Sequence, residues 1–232
     1  MSTVKLLSAV ASVSALCLGS VPAAAQTTDE IYYPTTANGY RIYLSPARHT
    51  NAGARGECLG TNENDMGYWN SRDATDSNAY TNANLLERGY TVRIGTGTVA
   101  SAIANSNAWG ADRHVVLHSN SKTTQNCPST SAGNYGTNVI YRSGSTNGQA
   151  LATSLNGQIG PASPGTYDYT CYNPGHPCTT IDLGELRDTA APAAYIEAEF
   201  HDWDRGANWL WNDTSWQWRI AQGIDSHLGA PR

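Results

Sequence analysis

The sequence predicts an α/β fold: a single three-layer domain with a mostly parallel mixed sheet flanked by helices. Three observations predict it. Short β-rich apolar runs alternate with segments of helical spacing along the chain. No repeat, linker or low-complexity block divides that alternation. The length left after a leader segment suits one domain with a substantial core.

The leader comes first. Lys5 supplies a positive start, Leu6 to Leu18 is apolar but too short to span a bilayer, and "VPAAAQ" fits cleavage after Ala25. Residues 1–25 therefore read as a secretory signal peptide and 26–232 as the mature domain. No later stretch stays apolar for the ~20 residues of a membrane span, so no stable membrane anchor is expected.

In the mature chain, "GYRIYLS" (Gly39 to Ser45) alternates Ile42 and Leu44 with polar neighbours and predicts a strand. The polar tract from Thr61 to Tyr90 contains no Pro, has an acidic first turn and meets Gly89, which predicts a helix. Its apolar stripe (Met66, Trp69, Tyr80, Ala83) is weak. "TVRIG" is a strand, "TVASAIANSNAWG" a helix stopped at Gly110, and "HVVLH" and "TNVIYR" are strands. Leu151, Leu155 and Ile159 carry helical spacing. A loop holding two cysteines comes next, then the strand "AAYIEAEF". The chain ends in helices: "TSWQ" (Thr214 to Gln217) is a capping box, and Trp216, Ile220, Ile224 and Leu228 recur every four residues.

Without Lys5 the chain carries 13 basic against 19 acidic side chains, a formal balance of −6, and Lys122 is its one lysine. Such a sparse, mildly acidic set argues against nucleic acid as a partner. Beyond Cys17 in the leader, four cysteines remain. In an exported chain they read as two disulfides. "CYNPGHPC" pairs Cys171 with Cys178 across a turn-rich loop, which leaves Cys58 with Cys127. Metal binding by Cys58 or Cys127 is the rival reading.

In a parallel sheet, chemistry gathers at the carboxyl ends of the strands. The first strand runs into "SPARH" with His49, "HVVLH" ends on His118, and the late strand carries Glu197 and Glu199. Glu63 opens the helix between the first two. Two imidazoles and a carboxylate form the ligand set of a catalytic zinc site, which needs a further carboxylate to move protons. Each residue also has a plain reading: His118 as a bonded structural histidine, His49 as a solvated loop residue, Glu63 as a helix-terminus charge. Glu197 resists one, because an unpaired carboxylate inside an apolar strand is costly. Glu199 has the same parity and should share its face, with His201 and Asp202 as nearby competitors. His114, His176 and His227 read as structural or exposed.

Taken in order, "RIYLSPARH", "GTNENDM", "SAIANSNAWGADRHVVLHSNS" and "LGELRDTAAPAAYIEAEFHDW" resemble the zinc-dependent N-acetylmuramoyl-L-alanine amidases, in the catalytic-domain type shared with phage endolysins. The resemblance runs from about Tyr40 to Gly229. It implies that 26–232 is an amidase catalytic domain, that His49, Glu63 and His118 bind Zn2+, and that Glu197 is the catalytic carboxylate. "SPARHTN" replaces the family's more usual Asp-Pro-Gly-His-Gly, and Glu199 stands where many members have glycine. Asn120 and Glu199 are candidate second-layer or substrate contacts. A Cys58–Cys127 bridge would tie together the loops that bear the ligands. The implied substrate is peptidoglycan; the leader predicts an extracellular location, and a monomer is expected. Two other functions compete: a secreted zinc peptidase acting on stem peptides, and a non-catalytic wall- or glycan-binding module whose late tryptophans (Trp203, Trp209, Trp211, Trp216, Trp218) stack on sugars.

Overall fold

The computed structural model describes residues 29–47, 55–56, 58, 61–76, 84–122, 134–175, 178–212 and 215–229. The signal-peptide reading, His49, Cys127, Tyr80, Ala83, His176 and Thr214 lie outside the described residues.

In chain order the elements are β1 (Glu30–Tyr32), β2 (Arg41–Pro46), β3 (Arg55–Gly56), β4 (Thr61–Asn62), α1 (Glu63–Thr75), β5 (Thr91–Ile94), α2 (Val99–Trp109), β6 (Arg113–Asn120), β7 (Asn138–Arg142), α3 (Thr146–Ile159), β8 (Tyr169–Asn173), α4 (Gly184–Arg187), β9 (Ala193–Phe200), α5 (Asp204–Asn212) and α6 (Ser215–Leu228). Seven strands form one sheet in the order β1-β5-β2-β6-β9-β7-β8, while β3 and β4 form a small ribbon. β5, β2, β6 and β9 run parallel; β7 turns antiparallel to β9, and β8 follows β7 in parallel.

The central strands are buried on both faces, so β2 and β6 read as near-continuous apolar runs. That corrects the alternation expected for β2: Tyr43 and Ser45 are as buried as Ile42 and Leu44. One face packs Val115, Leu117, Ala194 and Ile196 against α1, α3 and α6 in the main core. The other packs Val116, Ile140 and Tyr195 with Leu186 of α4 in a thinner layer. α3 and α6 meet closely because Gly223 lacks a side chain: a Cβ there would sit 2.9 Å from the Cα of Leu155.

Where the sequence signals were strong, the elements match. Thr98 caps α2 by accepting from the N–H of Ser101, and Gly110 ends it with a left-handed φ of 66°. α1 is shorter than the polar tract predicts. Its last carbonyls, on Ala74 and Thr75, accept from the N–H groups of Leu85 and Leu86, so the returning chain closes the helix. Gly89 (φ 87°) instead closes the turn that follows. Two edge strands were not predicted: β1, which is three residues long, and β8, which contains Cys171 inside the supposed loop. Of the late tryptophans, Trp203, Trp209 and Trp216 are buried, so they serve the interior rather than a sugar-stacking platform.

Candidate active site

The site forms at the carboxyl end of β6 and β9, on the face of the thinner layer. The sheet register aligns four residues in one row: His118 opposite Glu197, Glu197 opposite Asn138, and Asn138 opposite Tyr169. Residues in one row share a face of the sheet. His118 is buried, its ring stacked on Tyr195 with centroids 4.5 Å apart.

Glu63 arrives from the other layer as the first residue of α1, only 2% exposed. Its Oε1 lies 3.2 Å from Nδ1 of His118 and accepts the N–H of Ser119 at 2.6 Å. α1 comes this near because residue 67 is glycine: a Cβ there would stand 3.1 Å from both the N of Ala47 and the O of Leu117. Those two atoms are themselves hydrogen-bonded at 2.9 Å. The chain carrying His49 therefore leaves β2 beside His118, two residues before the histidine. Among the described residues, no third His, Cys, Asp or Glu completes a metal-binding cluster around His118 and Glu63.

Glu197 lines a cavity of about 250 Å³ together with Asn120, Asn138, Tyr169, Thr179 and Leu183. Its Oε2 is buried with no hydrogen-bond partner among the described residues. Burial first, and then the Glu63 carboxylate, hold its carboxyl well above the usual carboxylate range. Burial also raises the phenol of Tyr169, helped by Tyr167 and Glu197, so that ring keeps its proton at neutral pH.

Glu199 does not share this cavity. The β6–β9 ladder shifts register between His118 and Asn120, resuming at Asn120 opposite Phe200. Past the bulge, Glu199 turns its carboxylate to the loop after α3. Oε1 accepts from Ser163 Oγ (3.1 Å) and the N–H of Gly165 (2.8 Å), and Oε2 from the N–H of Phe200 (3.0 Å). His201 and Asp202 are likewise engaged: His201 Nδ1 meets Ser119 Oγ at 2.9 Å, and Asp202 accepts the N–H of Lys122 at 2.7 Å. His114 is structural as expected, held between Ser106 Oγ (3.0 Å) and Glu185 Oε1 (3.1 Å) at the opposite end of β6.

One wall of the cavity was invisible in the sequence. The segment Thr179–Leu183 is held by Asn173, which donates to the carbonyls of Thr179 (3.2 Å) and Ile181 (2.6 Å) and accepts from the N–H of Leu183 (2.9 Å). The disulfide Cys171–Cys178, with its Cα atoms 5.9 Å apart, ties the same segment to β8. Cys58 is also disulfide-bonded. The Asn–Pro–Gly turn between the paired cysteines signalled a constrained loop, but nothing local said what it would cover.

Fold and site together give an α/β domain with carboxylates and an imidazole gathered at the strand ends. The chain belongs to the N-acetylmuramoyl-L-alanine amidase family, whose model matches residues 50–228. Solved structures share the fold. The catalytic domain of the amidase CwlV from Bacillus (Paenibacillus) polymyxa var. colistinus aligns at a TM-score of 0.62 and 17% identity, over 83% of this chain and 99% of that one. An amidase from Clostridium difficile 630 aligns at 0.63 and 18%, over 84% and 100%. The catalytic domain of the CD27L endolysin aligns at 0.58 and 15%, over 83% and 99%. No match is found among curated proteins.

Proposed function

We propose that the protein is exported and uses zinc to hydrolyse the amide between the lactyl group of N-acetylmuramic acid and L-alanine of peptidoglycan, with His118, Glu63 and His49 as metal ligands and Glu197 as the proton carrier. The observation that carries this reading is the approach of Glu63 to His118 at 3.2 Å, with Glu197 opposite His118 and its Oε2 without a hydrogen-bond partner among the described residues.

The donor set fits zinc, which takes imidazole nitrogen and carboxylate oxygen and leaves a position open in catalytic sites. Two of the ligands face each other, and the Ser119 N–H orients one of them. The third, His49, lies two residues beyond Ala47, a distance of at most ~7 Å along the chain. When bound, zinc supplies a Lewis acid that polarises a carbonyl and makes water more acidic.

The protein's own residues do the rest. Glu197 accepts a proton from the attacking water as the C–O bond forms. It then delivers that proton to the amide nitrogen as the C–N bond breaks, leaving a lactyl carboxylic acid and a free L-alanine amine.

Export is supported by the leader pattern and by disulfide formation at Cys171–Cys178 and at Cys58. No described helix is long and apolar enough to cross a membrane.

Digestion of purified peptidoglycan tests the reading. New L-alanine amino termini without new reducing sugar ends, lost on chelation and restored by zinc, are expected. Amino termini from other residues would mean a peptidase instead.

A further inference from the structure

We infer that Asn138 positions the substrate by accepting the N–H of the scissile amide, and so restricts the enzyme to amides of primary amines; this rests on the amidase reading above. Asn138 is the first residue of β7 and lies directly opposite Glu197 in the antiparallel ladder. Such neighbours have Cα atoms ~4.5–5.5 Å apart and side chains on the same face. Asn138 is 5% exposed and lines the same cavity as Glu197, yet its Oδ1 has no hydrogen-bond partner among the described residues.

A buried amide oxygen is almost always bonded, and leaving it unpaired is costly. The surroundings do not meet the need. Ile140 and Leu183 are apolar, and no hydrogen bond from Tyr169 or Thr179 reaches Oδ1. An incoming donor would.

The reaction supplies one at the right place. The scissile nitrogen must turn its lone pair toward Glu197 to receive a proton. Its existing N–H then points to one side, and an acceptor one strand away from the acid can take it. As the C–N bond breaks, that hydrogen bond holds the nitrogen's orientation. A tertiary amide, such as one formed by an N-alkylated residue, has no N–H to offer.

The test compares two synthetic muropeptides, one with L-alanine and one with N-methyl-L-alanine at the scissile amide. The enzymes are wild type, Asn138→Ala and Asn138→Leu, the last preserving side-chain volume. Wild type is expected to prefer the secondary amide in kcat/KM. Either substitution is expected to lower kcat/KM on that substrate by ~10- to 100-fold, the size of a lost buried hydrogen bond. The N-methyl substrate should be unaffected, so the preference collapses. In a Glu197→Gln background, which removes turnover, the same collapse should appear in the two Kd values. Equal losses on both substrates, or a preference that survives both substitutions, would overturn the inference. Cleavage of neither substrate by wild type would overturn the amidase reading and this inference with it.

Discussion

His118 and Glu197 stand opposite each other on adjacent parallel strands, and the ladder slips directly after them. β6 advances two residues to Asn120 while β9 advances three to Phe200. The bulge separates two carboxylates that sequence parity places together. Glu197 stays with the cavity, and Glu199 is drawn off to Ser163 and Gly165. One irregularity in the strand thus decides which glutamate faces the cavity.

Glu197→Gln keeps the shape of the side chain and removes its ability to carry a proton. Turnover on peptidoglycan should fall by roughly 10²- to 10⁴-fold, the usual contribution of a positioned acid–base group. Zinc content, measured by atomic emission on the purified variant, should match wild type. Near-normal turnover would remove Glu197 from the mechanism; lost zinc would make it a ligand.

Gly67→Ala probes the seating of α1. The added methyl would press on the backbone at Ala47 and Leu117, 3.1 Å away, neither of which is a flexible side-chain tip. α1 must then move outward and carry Glu63 with it. A loss of about 1–3 kcal/mol in urea unfolding is expected, together with weaker zinc binding in a chelator competition. Weakened stability with unchanged zinc affinity would uncouple helix seating from the site.

Asn173→Ala removes all three hydrogen bonds that hold the wall from Thr179 to Leu183. At about 1 kcal/mol each, the loss should be roughly 2–4 kcal/mol. Because the wall lines the cavity and Asn173 itself does not, KM should rise more than kcat falls. A purely structural role would lower stability and leave KM alone.

The legible parts of this protein are those governed by local rules. β6 and β9 announce themselves as apolar runs because helices cover both faces of the sheet, and α2 carries its own start and stop at Thr98 and Gly110. His118 was readable as a strand residue for the same reason, although β6 continues past it to Asn120. Non-local facts were not. β1 and β8 are short edge strands whose pairing, rather than composition, makes them strands. α1 ends where the returning chain caps Ala74 and Thr75, not at a glycine. Asn138 meets Glu197 only because β7 inserts antiparallel beside β9, which nothing in "TNVIYR" encodes.

Glu199 makes stability depend on pH. It is fully buried, and burial pushes its carboxyl up to about 7 against the hydrogen bonds from Gly165, Phe200 and Ser163. In the unfolded chain the same group titrates near 4.5. Between these values the folded state holds more protons, so this contribution is complete below about 4.5 and is lost as pH rises through about 7. The full swing is roughly 3 kcal/mol. His227 works in the other direction. Burial and Arg113 push it down to about 4, and it accepts from Arg113 Nε at 2.8 Å, so its contribution is lost as pH falls below about 6.5. The two trends oppose in the wild type, which is why the variant is informative. Glu199→Gln cannot ionise, and its amide fits the three donors imperfectly, a constant offset. Measured by urea unfolding from pH 4 to 8, the stability of Glu199→Gln relative to wild type should climb between about 4.5 and 7 and be flat outside that window. Parallel curves across the range would mean that Glu199 stays ionised in the folded protein, its three donors outweighing burial.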